Sequence, residues 1–155
     1  HRDVGALLET LNVGLTELLE EEGFFATIII AQYWPLSGKL ELASGGHLPA
    51  LKVTDRKVEP LHVESGPALG VICCPRYEKA AYRISEGDSV LMLTDGVNES
   101  VNAAGELFGQ DRVNGILSRQ SQLPRGPALM GEIETWQGIS EPNDDITLLE
   151  IWRDG

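Results

Sequence analysis

The chain has 155 residues, 42% of them apolar and 23% charged, with a formal net charge of −12 at pH 7, enough for one globular domain with a sizeable core. Its 12 Lys and Arg are scattered, with Arg56-Lys57 as their one adjacent pair, which argues against a nucleic-acid backbone or an anionic membrane surface as partner, because both contacts require clustered cations. No apolar run approaches the roughly 18 residues of a membrane-spanning helix, and the start His1-Arg2-Asp3-Val4 carries neither an initiator Met nor a signal-peptide pattern, so a fragment of a longer protein is expected.

In chain order, Val4, Leu7, Leu8, Leu11, Leu15, Leu18 and Leu19 recur at spacings of three and four, predicting an amphipathic helix that ends near Gly23, with Glu20-Glu21-Glu22 as its solvated end. From Phe24 the composition turns β-branched and aromatic, predicting a strand through Tyr33 or Trp34, a turn at Pro35 to Gly38, and a returning strand from Lys39 to Ala43. Short strands at Ala50 to Thr54 and Val58 to Val63 continue an expected antiparallel meander. Gly66-Pro67-Ala68-Leu69-Gly70 is then a rigid connection, and Tyr77 to Ile84 alternates as a strand. Ser89 to Thr94 has a continuous apolar centre, implying burial on both faces. Helices are predicted at about Asp111 to Arg119 and at Pro127 to Gln137, the second closed by Gly138, before a final strand from Ile146 to Trp152. Strands first and helices at the ends, without strand-helix-strand alternation, predict an α+β class: antiparallel sheets covered by helices.

The only cysteines are the neighbours Cys73 and Cys74, which cannot staple distant segments and point to a reducing compartment. Buried thiols are the expectation for them. With His1, His47 and His62 they form no zinc-ligand spacing. Trp34, Trp136 and Trp152 read as core or interface anchors.

Two acidic segments carry the chemical signal. Leu91-Met92-Leu93-Thr94-Asp95-Gly96-Val97 runs a buried strand into an Asp-Gly turn, and Asn143-Asp144-Asp145-Ile146-Thr147 places two carboxylates at the mouth of the last strand. Asp95 follows one strand and Asp144 precedes another, so if these strands are antiparallel neighbours both carboxylates reach the same sheet edge. Oxygen donors at the ends of rigid elements suit hard divalent cations such as magnesium and manganese. Either segment alone also reads as an ordinary turn or helix cap. Metal-free acid-base hydrolysis by Asp144 and Asp145 is disfavoured, because adjacent side chains on an extended strand point to opposite faces.

These segments, in this order, resemble a bacterial metal-dependent protein phosphatase of the type 2C superfamily, in the branch typified by SpoIIE and RsbU. Phe25-Ala26-Thr27 resembles the family's "F-x-T" strand, Ala43-Ser44-Gly45-Gly46-His47-Leu48-Pro49 its "N-A-G-H-x-P" segment, and Gly66 to Gly70 its "G-x-P-L-G". Glu86-Gly87-Asp88 with Leu91 to Val97 resembles "P-G-D" with "L-x-x-Y-T-D-G-V", and Glu106-Leu107-Phe108-Gly109 and Asp144 to Leu149 complete the set. The resemblance covers nearly the whole chain, as the C-terminal two thirds of one such domain spanning residues 1–155. It implies a β-sandwich flanked by helices, in α-β-β-α layers, with a centre of two manganese or magnesium ions. It also implies that Asp95 and Asp144 are metal ligands, that Asp145 and Gly96 orient them, and that no protein nucleophile is needed. His47 falls in a segment that the resemblance makes a structural turn, with a general-acid role as the alternative.

The implied activity is hydrolysis of a phosphoserine or phosphothreonine on a cytoplasmic phosphoprotein such as an anti-sigma-factor antagonist, under control of an upstream sensor or receiver domain. The chain departs from the family pattern in lacking the upstream "G-D-x-x-D" and "D-x-x-G-H-G" acidic motifs, so at most one cation is expected here. The upstream strands go with those motifs, and the open edges left would be covered by another segment or by a second copy in a homodimer. The alternative function is a catalytically silent phosphatase-like module that binds a regulatory protein.

Overall fold

The computed structural model describes residues 3–138 and 144–154, apart from the side chains of Glu20 and Glu22. His1, Asn143 and the carboxylates expected at Glu20 and Glu22 therefore lie outside the described residues; Glu21 is exposed. The chain divides into two compact units, His1–Pro49 with His62–Arg83 and Ala50–Leu61 with Ile84–Gly155. Each holds one antiparallel sheet, with one helix in the first unit and three in the second among the described residues, which is the α+β class that the sequence implies.

The first unit contains α1 (Val4–Glu22), β1 (Ile28–Trp34), β2 (Lys39–Gly45) and, as β5, Lys79–Arg83. Asp3 starts α1 by accepting the Gly5 and Ala6 amides at 2.9 and 3.1 Å, satisfying donors that have no partner within the helix. Val4 and Leu8 are buried against Ala43, Leu69 and Tyr77, with Leu11, Leu15 and Leu19 packed beside them. Leu18, expected within this stripe, is instead 58% exposed, because its neighbour Leu19 takes the inward position. Phe24 and Phe25 are also exposed. The strand starts at Ile28 rather than Phe24 because the Phe24 amide bonds back to the Leu19 carbonyl at 2.8 Å and closes the helix.

The Gly66 to Gly70 connection is stitched down at both ends. Gly66 exchanges backbone bonds with Ser44 and Gly46, and Ala26 pairs with Leu69. A Cβ on Gly66 would lie 2.4 Å from the Tyr77 ring, whose hydroxyl donates to the Pro67 carbonyl at 3.0 Å. Cys73 and Cys74 follow and are exposed, not buried; the turn that carries them lies outside the packed stripe of α1.

The second unit contains β3 (Leu51–Thr54), β4 (Lys57–Pro60), β6 (Ser89–Leu93), α2 (Gly96–Glu99), α3 (Gly109–Arg119), α4 (Gly126–Gln137) and β7 (Leu148–Trp152). Its sheet runs in the order β4-β3-β6-β7. The sequence pattern suggests one meander, but β2 pairs with β5 while the β3–β4 hairpin belongs to the other sheet beside β6. Hairpin turns reveal local pairing; long-range pairing depends on which apolar faces meet. All five residues of β6 are buried, as its unbroken apolar run implies. Leu91, Leu93 and Val97 pack with Val113, Leu117, Leu129 and Ile133 from the helices. Trp136 joins this core, edge-on to Phe108 at 5.9 Å and under the Arg112 guanidinium at 4.0 Å, whereas Trp152 is exposed.

Polar groups pin the start of β6 and the helix beside it. The Glu150 carboxylate on β7 accepts the Arg125 and Gly126 amides at 3.0 and 2.7 Å, capping α4 where its first N–H groups lack partners. The buried Arg125 guanidinium donates to Ser89 Oγ, the Gly87 carbonyl and the Gln120 carbonyl. Asp88, also buried, pairs with Lys52 at 3.0 Å and accepts the Ser85 amide at 3.0 Å. Burial pushes the Asp88 carboxyl up, but the Ser85 amide, Lys52 and Thr54 outweigh it and hold the carboxyl below the usual range. Among the described residues no helix is long and apolar enough to cross a membrane.

A carboxyl held below its unfolded-state value adds stability above that value and loses it as pH falls through the folded one. Asp88→Asn should therefore lower unfolding free energy by about 2 kcal/mol at pH 7. The difference should shrink on acidification below the ordinary carboxylate range; urea denaturation at both pH values checks it.

Candidate functional site

The two acidic segments meet at one end of the second unit's sheet. Strands β6 and β7 are antiparallel neighbours, with Leu93 opposite Leu148. The pairing continues beyond the regular ladder: the Thr94 amide donates to the Thr147 carbonyl at 3.1 Å, and the Thr147 amide donates to Thr94 Oγ1 at 2.9 Å. The same hydroxyl donates to the Asp145 carbonyl at 3.1 Å. Thr94 thus ties the end of one strand to the acidic approach of the other.

Asp95 comes next and is exposed. It opens α2, a single turn closed by the Glu99 amide on the Asp95 carbonyl at 2.9 Å, and its carboxylate makes no capping hydrogen bond. The sequence predicts an Asp-Gly turn here and no helix, because a helical turn of four residues is too short to leave a periodic signal. Gly96 is buried, and a Cβ there would lie 2.5 Å from the Asp145 carbonyl oxygen and 3.6 Å from the Asp144 carbonyl carbon. Only a residue without a side chain allows the two backbones to come this close. Ser100 holds the far end of the turn, its buried hydroxyl donating to the Gly96 carbonyl at 2.7 Å.

Asp144 and Asp145 are both exposed. Asp144 Oδ1 accepts the Asp145 amide at 2.7 Å, which fixes one of its oxygens and leaves the other available. The structure therefore brings the Asp95-Gly96 turn against the Asp144-Asp145 backbone at one sheet end, the backbone juxtaposition that their positions at the strand ends imply. His47 lies in the first unit, where its carbonyl accepts from Ser44 Oγ at 3.2 Å in the turn after β2. Thr94 and Ser100 are the contributors to which the sequence reading assigned no role. A hydroxyl residue at a strand end and another four residues after a turn glycine are the signals that could have marked them.

A family model described as Stage II sporulation protein E matches residues 1–154. The chain belongs to the SpoIIE family. It is 24% identical over 135 residues to Protein IcfG of Synechocystis, covering 83% of this chain and 21% of that protein. Among solved structures, the RsbU and RsbW domains of Rv1364c from Mycobacterium tuberculosis superpose with a TM-score of 0.73 at 23% identity, covering 99% of this chain and 42% of theirs. The manganese-presoaked phosphatase domain of SpoIIE from Bacillus subtilis gives 0.66 at 17% identity, covering 99% of this chain and 67% of that one. RsbX in complex with magnesium gives 0.67 at 14% identity, covering 96% and 64%. These likenesses establish the type 2C phosphatase fold, and the chain spans only about a fifth of IcfG and under half of the mycobacterial protein.

The family implies divalent metals, and the residues present fit one in kind. Asp95 and Asp144 offer hard carboxylate oxygens, and magnesium is commonly held by one or two carboxylates while keeping several waters. Among the described residues no group of three or more His, Cys, Asp or Glu gathers to hold an ion.

Replacing Gly96 by Ala forces the two acidic backbones apart. We expect a loss of about 1–3 kcal/mol, with amide NMR shifts displaced at Asp144 to Thr147 and unchanged in α3; a variant with wild-type shifts at the acidic segment would contradict the close approach.

Proposed function

We propose that this chain is the C-terminal part of a single metal-dependent serine/threonine protein phosphatase domain. The observation that carries the proposal is the contact between the Asp95-Gly96 turn and the Asp144-Asp145 backbone at one sheet end. Asp95 and Asp144 would hold a magnesium or manganese ion, with Asp145 and Gly96 fixing their placement. When bound, such an ion lowers the pKa of water and stabilises charge on a transferring phosphoryl group.

The chain's own residues do the positioning. Thr94 locks the two strand ends together, Gly96 lets the acidic backbones touch, and the Asp145 amide orients the Asp144 carboxylate. The Asp95 carboxylate, unused by its helix, remains available to a ligand. An open edge at an exposed acidic end suits a macromolecular substrate: a phosphorylated regulatory protein, such as an anti-sigma-factor antagonist in bacterial signalling. A cytoplasmic location and an upstream sensor or receiver domain complete the proposal, and a homodimer would cover an open sheet edge.

A second reading, a silent phosphatase-like module that binds a regulatory protein, is favoured by the lack of three gathered ligands among the described residues. Manganese-dependent hydrolysis of an aryl phosphate and of a phosphorylated antagonist protein separates the two. For the phosphatase, Asp95→Asn and Asp144→Asn should each reduce turnover by about a hundredfold or more while leaving the fold intact, in this chain or in a longer protein that includes it. Wild-type turnover in Asp95→Asn would remove Asp95 from the site, and absence of turnover with retained binding of the antagonist would support the silent module.

A further inference from the structure

The turn after Gly70 contains a feature that phosphate-ester chemistry does not use. Cys73 and Cys74 are both exposed thiols, and their sulfurs lie 3.1 Å apart. Adjacent side chains on extended backbone point to opposite sides, so two neighbouring thiols do not ordinarily face each other. Here Cys74 has φ 58, in the left-handed region that residues with a Cβ rarely enter, and Pro75, which follows, disfavours the right-handed helical alternative. The turn that results brings the second sulfur to the same side as the first.

The turn is also held from behind. Asn12, fully buried on α1, accepts the Gly70 amide at 3.1 Å and donates to the Ile72 carbonyl at 3.0 Å. The dithiol therefore sits at the end of a segment anchored to a helix, on two exposed residues.

We propose that Cys73 and Cys74 form a reversible oxidation site that a peroxide closes to a vicinal disulfide. One sulfur, as thiolate, attacks a peroxide oxygen; the O–O bond breaks, and the departing hydroxide takes a proton to leave as water, giving a sulfenic acid. The second sulfur then attacks the sulfenic sulfur; the S–O bond breaks, and the hydroxide leaves as a second water with the remaining thiol proton. The two thiols together lose two electrons, and one hydrogen peroxide is reduced to two waters. A disulfide bond is about 2.05 Å long, so the sulfurs approach by about 1 Å on closure, and the strained ring that neighbouring cysteines form keeps the bond readily reducible. In a reducing compartment such bonds are transient and serve as sensors rather than staples.

The test is oxidation of the folded chain with hydrogen peroxide, read by non-reducing intact mass and by maleimide counting of thiols. The expected product is a monomer lighter by two hydrogens, with neither thiol labelled, restored to two labelled thiols by dithiothreitol. Cys73→Ser and Cys74→Ser, each left with one thiol, should instead gain oxygen or link into dimers. Wild-type chain that gains oxygen as the single-thiol variants do, links into dimers, or keeps both thiols would overturn the proposal. Mass and thiol count do not depend on turnover, so this outcome is separate from the phosphatase reading.

Discussion

The close approach of Gly96 to the Asp145 carbonyl depends on a strand that cannot move and a residue that has no side chain. Strand β6 is buried along its whole length between β3 and β7, so its end is a fixed point. From that point Thr94 bridges to Asp145 and Thr147 through one hydroxyl that both donates and accepts, and Gly96 removes the steric bulk that would hold the acidic segments apart. The carboxylates are thus exposed while their backbones are constrained, which is what a cation site needs: rigid placement with room for water.

The opposite end of β6 solves a different problem with the same kinds of groups. Asp88 and Arg125 are buried, and burying charge is tolerable only when it is paired and hydrogen-bonded. Asp88 has Lys52 and the Ser85 amide, and Arg125 has Ser89, Gly87 and Gln120. Glu150 joins the helix to the sheet through two amides. Carboxylates at the two ends of one strand therefore divide by environment: those at the start are consumed by structure, and those at the end stand in solvent. That division, rather than residue type, separates a structural carboxylate from a candidate ligand.

The chain belongs to the SpoIIE family and has the type 2C phosphatase fold. Magnesium and manganese are named for RsbX and for the B. subtilis domain, and among the described residues of this chain no group of three or more potential ligands gathers. The chain accounts for about a fifth of IcfG.

Local physics made much of this legible in advance. The three-and-four spacing of α1, the Pro35 to Gly38 turn, the unbroken apolar run of β6, and Asp-Gly against Asp-Asp at two strand ends all follow from properties of a few adjacent residues. Pairing across the chain was less legible. That β2 joins β5 while β3 and β4 enter another sheet, that Leu18 turns outward, and that Asn12 is buried to hold the Cys73–Cys74 turn all depend on residues up to sixty positions apart. The amino-acid sequence by itself determined most of the elements and the two acidic segments, because periodicity and turn chemistry are local, and the order of its motifs carried the resemblance to the family. Only the tertiary structure decided that Thr94 and Gly96 lock those segments together and that two neighbouring thiols face each other in solvent, because close approach depends on which backbones pack, and composition does not encode that.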